Sequence, residues 1–188
     1  MELNGASRNN CALLIIDMMN TLDFGEGPLL LRQMQPIIEP IRSLSAQMRA
    51  SGLPIVYVND NAGKWRSDKD DIIHCALRGP AASCVQALLP QPSDYFIVKP
   101  KHSGFFATPL QALLTSLEVR TLILCGVAGN ICVLFTANDA YMRDYRLIVP
   151  RDCCASNVPE DNHYALRMME NVLQADTREQ SELDGNNL

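Results

Sequence analysis

The stretch LILCGVAGNICVLF, residues 122–135, changes character halfway along its length. Its first half is a run of aliphatic residues, which is typical of a strand that is buried on both faces of a parallel sheet. Small residues follow, and the second half begins a helix with Cys132 in its first turn. The sequence therefore predicts a strand, a tight turn and a helix that carries a thiol close to its N-terminus.

The same alternation of apolar runs and helical patterns extends over the chain in both directions. Five predicted strands cover residues 11–17, 53–60, 94–100, 120–127 and 146–150. A short sixth strand after Gln174 also fits the pattern. Helical patterns lie between these runs, and Pro36 and Pro40 predict that the first long helix begins late. Strands that alternate with helices indicate an α/β fold, with a parallel sheet covered by helices on both faces.

Length and composition exclude several classes of protein. The 188 residues suit a single domain over residues 1–188, with a core of about 10–178 between polar termini that we expect to be loosely ordered. The net charge of −5 and the lack of a Lys/Arg run argue against binding to nucleic acid or to a membrane surface. The seven cysteines form no C-x-x-C pair, so we expect a cytoplasmic protein with reduced thiols, and not a redox protein.

Reactive side chains follow several of the predicted strands. Asp17 ends the first strand and Asp60 the second, Lys99 belongs to the end of the third, and Cys132 comes soon after the fourth. Ligands of open parallel sheets bind beyond the carboxyl ends of the strands. We therefore expect an acid, an ammonium and a thiol to meet at this edge. Each alone also has a plain structural explanation: a capping carboxylate, a surface lysine or a core cysteine.

The position of Cys132 favours a reactive thiol over a core one. The first turn of a helix leaves backbone N–H groups unpaired and carries the positive end of the helix dipole, and both stabilise a thiolate. A neighbouring Lys99 ammonium acts in the same direction. The sequence therefore predicts that the pKa of Cys132 is lowered, and that alkylation at mildly acidic pH reaches this thiol before the other six.

Five blocks of sequence resemble the isochorismatase-like cysteine hydrolases, a superfamily that includes nicotinamidases and carbamoylsarcosine amidohydrolases. In chain order the blocks are LLIIDMMNTLDF, VYVNDNAGKWRSD, VKPKHSGFFATPL, LILCGVAGNICVLFTANDAYMRDY and LIVPRDCCAS. The resemblance implies a Rossmann-like three-layer α/β/α sandwich with a six-stranded parallel sheet, and a triad that falls on Asp17, Lys99 and Cys132. It also implies a cis peptide bond between Val127 and Ala128, with the N–H groups of Ala128 and Cys132 forming an oxyanion hole.

The resemblance further implies a reaction class. Acyl chemistry at Cys132 would cleave the amide, carbamoyl or ureide C–N bond of a small molecule through a thioester. Isochorismatases of this superfamily hydrolyse a vinyl ether and generally lack the cysteine, so Cys132 favours C–N cleavage. A vinyl ether hydrolase and a catalytically idle small-molecule-binding protein stay open as alternatives, although an idle protein has no need of all three groups.

The sequence departs from the metal-binding pattern of nicotinamidases, in which an Asp is followed two residues later by a His. Here Asp60 is followed by Asn61 and Ala62, and His74 alone cannot make a metal site. We therefore predict no catalytic metal and no cofactor, and we do not expect nicotinamide as the substrate. The sequence by itself does not decide whether Asp60 or His74 ever contacts a metal.

Aromatic residues after three predicted strands are candidates for the walls of a substrate pocket: Phe24, Trp65, Phe105 and Phe106. Lys64 and Arg66 flank Trp65, and they either receive an acidic substrate group or belong to a solvated loop. His102 is expected to position its loop and not to act in catalysis. Because homo-oligomers are usual in the superfamily, the resemblance also implies a homodimer or a larger homo-oligomer.

Overall fold

The computed structural model describes residues 10–66 and 68–183, and strands alternate with helices along them. The strands are β1 (Cys11–Ile16), β2 (Ile55–Asp60), β3 (Tyr95–Lys99), β4 (Thr121–Val127), β5 (Arg146–Ile148) and β6 (Cys154–Ala155). The helices are α1 (Gly27–Ala50), α2 (Lys69–Ala76), α3 (Ala82–Ala87), α4 (Leu110–Ser116), α5 (Leu134–Tyr141) and α6 (Pro159–Leu173). The first five strands lie within the apolar runs, because such runs can be buried on both faces of a sheet.

The strands form one parallel sheet with the order β3-β2-β1-β4-β5, and β6 pairs with β4 beyond the end of β5. Strand β1 lies in the centre, where Leu13 pairs with Ile55 on one side and with Ile123 on the other. The carboxyl ends of β1, β2, β3 and β4 therefore lie at the same edge. The predicted α/β fold with a six-stranded parallel sheet is confirmed.

Helices cover both faces of the sheet, and alternate residues of each strand point to the two helical layers. Along β1, Leu13 and Ile15 pack in one cluster with α1, α2 and α3. Leu14 and Ile16 pack in the other cluster with α4, α5 and α6. Because all four side chains are fully buried, β1 forms the middle of a three-layer sandwich.

The sixth strand does not lie where the sequence placed it. It is formed by Cys154–Ala155, whereas the chain after Gln174 makes an isolated bridge between Asp176 and Ile148. A strand of two residues is too short to leave a periodic pattern in the sequence. Its pairing with β4 is therefore decided by tertiary contacts.

Helix α1 begins at Gly27, well before the position that Pro36 and Pro40 suggested. Both prolines lie inside the helix, where each removes one backbone hydrogen bond. The helix persists because its buried stripe, which includes Met34 and Ile41, packs against the sheet. Burial of that stripe outweighs the missing hydrogen bonds.

The polar C-terminal segment is packed where the structure describes it, which corrects the expectation of a loosely ordered tail. Residues 180–182 form a 3₁₀ turn, and Leu183 is buried in the cluster that includes α1. Residues 1–9 and 184–188, the remainder of the two termini, lie outside the described residues, as does Ser67. Along the described chain, no helix combines the length and the apolar character that crossing a membrane requires.

Candidate active site

The structure brings the three predicted reactive groups to the carboxyl edge of the sheet. Asp17 directly follows β1, Lys99 is the last residue of β3, and Cys132 follows β4 in a π-helical turn, Gly129–Val133. Such turns are frequent at functional sites. Lys99 has the same parity along β3 as Ile97, which packs on the side of the sheet that carries α4, α5 and α6. This placement directs the Lys99 side chain toward the turn that holds Cys132.

The three side chains are in contact. The Lys99 Nζ atom lies 2.8 Å from Asp17 Oδ2 and 3.5 Å from Cys132 Sγ. Lys99 is 0% exposed and Asp17 is 5% exposed, while Cys132 is half-buried. The sulfur is thus the member of the group that a ligand can approach from solvent.

Burial and pairing together set the protonation of the two charged groups. Burial raises the pKa of Asp17 above its ordinary value, although the Lys99 ammonium beside it acts in the opposite direction. For Lys99, burial acts to lower the pKa, but attraction to Asp17 and Cys132 outweighs it and the pKa is raised. Lys99 therefore stays an ammonium, and Asp17 is a stronger base than an exposed carboxylate.

The thiol of Cys132 holds its proton in the resting protein. Its pKa is raised to about 12, because burial disfavours the thiolate and the Asp17 carboxylate repels it. The Lys99 ammonium acts in the opposite direction, but its charge is already paired with Asp17. The prediction of a lowered pKa is wrong for this reason, and a base must take the proton before the sulfur becomes a nucleophile.

Asp60 is a fourth member of the site whose contacts the sequence did not predict. Its backbone N–H donates a 2.7 Å hydrogen bond to Asp17 Oδ1, and its Oδ2 atom lies 4.0 Å from Lys99 Nζ. Asp60 pairs in register with Lys99 across β2 and β3. The signal available in the sequence was its position at the end of the second strand.

The neighbouring Asn59 holds the segment after Asp17 in place, and sequence reasoning missed it. Its side-chain oxygen accepts a 3.0 Å hydrogen bond from the Met19 N–H, and its Nδ2 donates a 2.9 Å bond to the Met19 carbonyl. Asn59 is buried, so both bonds are shielded from water. Because Met19 comes two residues after Asp17, this clamp orients the carboxylate.

The turn before Cys132 has a cis peptide bond between Val127 and Ala128. Ser156, which follows β6, supports the turn, since its hydroxyl accepts a 3.0 Å hydrogen bond from the Asn130 N–H. The same hydroxyl donates a 3.0 Å bond to Asn162 Oδ1. A Cβ atom at position 129 would overlap this Asn162 oxygen, which explains the small residue Gly129.

A cleft of about 530 Å³ is bordered by Asp60, whose Oδ2 atom lies 4.0 Å from Lys99 Nζ. Its other walls include Met19, Asn20, Asn61, Lys64, Trp65, Arg66 and Ile72. Trp65 is 83% exposed, so its indole borders the mouth of the cleft. A larger groove of about 790 Å³ lies at the opposite end of the strands, around Arg49 and Asp94, remote from Cys132.

The other aromatic candidates do not line this cleft. Phe24 and Phe106 are exposed on the surface. Phe105 is buried among the residues of the second core cluster, with the Tyr145 ring 6.0 Å away and the Arg143 guanidinium 4.8 Å above its ring. The prediction that Phe105 lines a pocket is therefore wrong, since its loop turns the ring into the core.

The structure does not bring His74 and Asp60 together as a metal site. His74 lies on α2 and is exposed, while Asp60 Oδ1 accepts a hydrogen bond from the Ala62 N–H. Within residues 10–66 and 68–183, no group of three or more His, Cys, Asp or Glu side chains is arranged to hold a metal ion.

The family model described as "Isochorismatase domain" matches residues 11–179. The chain belongs to the isochorismatase family. This isochorismatase-family hydrolase is 47% identical over 170 residues to the isochorismatase family protein YaaI of Bacillus subtilis (strain 168), across 90% of the chain and 94% of YaaI.

Two further relatives have names that state an activity. The hydrolase is 31% identical over 170 residues to ureidoacrylate amidohydrolase RutB of Methylorubrum extorquens, across 74% of the chain and 67% of RutB. Its fold is similar to that of N-carbamoylsarcosine amidase from Thermoplasma acidophilum, with a TM-score of 0.74 and 28% identity across 93% of the chain and 99% of the amidase. The isochorismatase-family members similar to this hydrolase thus include amidases.

Proposed function

We propose that this protein is a cysteine hydrolase that cleaves the C–N bond of a small amide, carbamoyl compound or ureide through a thioester on Cys132. The single observation that carries the proposal is the contact of Lys99 Nζ with both Asp17 Oδ2 and Cys132 Sγ, at 2.8 Å and 3.5 Å. A thiol, a carboxylate base and an ammonium in contact are the parts that nucleophilic acyl transfer requires.

Acylation begins with proton transfer from Cys132 to Asp17. The raised pKa of the Asp17 carboxyl makes it a competent acceptor, while the raised pKa of Cys132 explains why the thiol needs one. The deprotonated sulfur attacks the carbonyl carbon of the substrate. The Lys99 ammonium stabilises the negative charge on the sulfur during this step. The N–H groups of Ala128 and Cys132 would donate to the oxyanion of the tetrahedral intermediate.

Collapse of the tetrahedral intermediate breaks the C–N bond. Asp17 returns its proton to the departing nitrogen, so a neutral amine or ammonia leaves and the acyl group stays on Cys132 as a thioester. Water then hydrolyses the thioester, which releases an acid and restores the thiol. Each cycle consumes one water molecule and uses no cofactor.

The names of two relatives support a ureido or carbamoyl substrate. Ureidoacrylate and N-carbamoylsarcosine each combine such a group with a carboxylate. The cleft that Asp60 borders has two cationic side chains in its wall, Lys64 and Arg66, together with the Asp71 carboxylate. A small carboxylated ureide would place its anionic end toward the two cationic side chains and its carbonyl toward the sulfur.

The proposal is tested by a screen for ammonia release across small amides, ureides and carbamoyl compounds, with and without a carboxylate. On any hydrolysed compound, we expect Cys132→Ala to reduce kcat by at least about 1,000-fold, because the covalent step is lost. Cys84→Ala is the matched control, since this thiol lies in the core on α3. Full turnover by Cys132→Ala would exclude the thioester route.

A further inference from the structure

His102 lies on the solvent side of the Cys132 sulfur. Its Nδ1 atom is 4.0 Å from Cys132 Sγ, which is close to the 3.5 Å between Lys99 Nζ and the same sulfur. The surroundings of the two nitrogen atoms differ, because Lys99 is completely buried whereas His102 is exposed. The sulfur therefore has an inner neighbour paired with Asp17 and an outer neighbour that water can reach.

The loop that carries His102 is tied to the helix that carries Cys132. The Gly104 N–H donates a 3.0 Å hydrogen bond to Thr136 Oγ1, and the same hydroxyl donates a 2.7 Å bond to the Cys132 carbonyl. The Ser103 hydroxyl also donates to the Asp139 carboxylate on α5. The Thr136 hydroxyl thus connects the backbone of the His102 loop to that of Cys132, and it fixes the distance between imidazole and thiol.

The imidazole ring has a packing partner that sets its direction. Its centroid lies 5.4 Å from that of the Phe135 ring, at an interplanar angle of 61°, which is an edge-to-face contact. Phe135 follows Cys132 by three residues, so both side chains project from the same side of the helical segment. The ring is held over the sulfur by this contact and by the loop.

We propose that His102 is a catalytic residue of the second half-reaction, the base that takes a proton from the water that hydrolyses the Cys132 thioester. The inference rests on the proposed function and replaces the expectation that His102 only positions its loop. The reacting water comes from solvent, and His102 is the exposed nitrogen base beside the sulfur. The Asp17 carboxylate, which takes the thiol proton in acylation, is buried, so water that arrives from solvent meets the exposed imidazole first.

The step balances in protons and electrons. Water forms a C–O bond with the thioester carbonyl carbon while one of its protons passes to the imidazole nitrogen. The tetrahedral intermediate then collapses, the C–S bond breaks with its electron pair on sulfur, and the imidazolium returns the proton to the thiolate. The products are a carboxylic or carbamic acid and the resting Cys132 thiol.

The test separates acylation from deacylation with 4-nitrophenyl acetate, whose leaving group needs no proton. In the wild-type protein we expect a burst of nitrophenolate followed by steady turnover. In His102→Gln the burst should stay within about twofold, whereas the steady rate should fall about 100-fold, the typical contribution of a general base. Mass spectrometry should then find the acetyl group accumulated on Cys132.

A rescue and a control distinguish a base from a structural residue. Hydroxylamine attacks a thioester without general-base help, so it should restore fast turnover in His102→Gln. Lys101→Gln removes the neighbouring exposed side chain and should behave like the wild type.

Two further outcomes distinguish a wrong role for His102 from a wrong reaction. Equal steady rates in wild type and His102→Gln, or an equal loss of burst and steady rate, overturn the role of His102 alone. If nitrophenolate release continues at the wild-type rate in Cys132→Ala, the thioester chemistry itself is wrong and the proposed function falls with it.

Discussion

The ammonium of Lys99 lies 2.8 Å from the carboxylate of Asp17, and both side chains are buried. This ion pair joins the ends of β3 and β1 across β2, so it contributes to the fold as well as to the site. Because the Lys99 ammonium is paired with Asp17, it stabilises a Cys132 thiolate less than an unpaired ammonium would. Burial of the thiol and repulsion by the Asp17 carboxylate therefore outweigh the Lys99 ammonium, and the site rests with a protonated thiol and a base beside it.

Removal of Lys99 should cost more stability than removal of the whole pair. Lys99→Met leaves the Asp17 carboxylate buried and unpaired, and we expect a loss of about 3–5 kcal/mol in the free energy of unfolding. Asp17→Asn is a suitable partner change, because Asp17 has a φ of 53°, a conformation that Asn tolerates. Urea unfolding at neutral pH should show a smaller loss for the double variant than for Lys99→Met alone, and hence a smaller loss than the sum of the two single losses. Simple additivity would show that the two groups do not interact.

Asp17→Asn should separate thiol reactivity from turnover. The Asp17 charge raises the pKa of Cys132, so its removal should shift alkylation of this thiol to lower pH. Turnover should nevertheless fall by at least about 1,000-fold, because no base takes the thiol proton. Iodoacetamide labelling across a pH series, quantified by mass spectrometry, measures the first effect. A profile unchanged from the wild type would argue against contact between the two groups in solution.

The Cys132 thiol should also affect stability at alkaline pH. Its pKa is raised from 9.0, the value of an unperturbed cysteine, to about 12 in the folded protein. Between these values the folded state keeps a proton that the unfolded state has lost, so the free energy of unfolding falls as pH rises. Cys132→Ala lacks this contribution, and its stability relative to the wild type should improve by on the order of 1 kcal/mol between about pH 8 and pH 10.5.

Urea unfolding of both proteins at the two pH values measures this difference. Cys132→Ala also loses stability through the cavity it leaves, but this loss is the same at both pH values and cancels when they are compared. Cys84→Ala shows the size of the same effect for a thiol away from the site, because burial raises the pKa of Cys84 as well. Parallel pH profiles for wild type and Cys132→Ala would mean that the thiol titrates equally in the folded and unfolded states.

Gly129 should tolerate a side chain only if Asn162 is shortened. In Gly129→Ala the new Cβ overlaps Asn162 Oδ1, and we expect a loss of about 1–3 kcal/mol in stability, as in other overpacked sites. Activity should fall as well, since the turn before Cys132 must shift. The double variant Gly129→Ala with Asn162→Ala makes room for the methyl group and should recover part of both losses. Thermal unfolding and turnover of Gly129→Ala, Asn162→Ala and the double variant test this expectation. A double variant worse than either single one would contradict the steric explanation.

Much of the fold followed from the sequence, because burial on both faces leaves continuous apolar runs. The runs at β1 to β5 mark the strands, and polar residues at their ends mark one edge of the sheet. The pattern failed where local signals were weak or misleading. The two-residue β6 has no periodicity of its own, and the prolines of α1 lie in a helix that packing sustains.

The candidate site was also predicted only in part. The order of residues shows which side chains stand at the strand ends, and this made Asp17, Lys99 and Cys132 candidates to meet there. Their protonation states could not be predicted in the same way, because a pKa depends on burial and on distances of a few ångströms between groups distant in the chain. For the same reason the structure alone turned Phe105 into the core and placed His102 beside the sulfur.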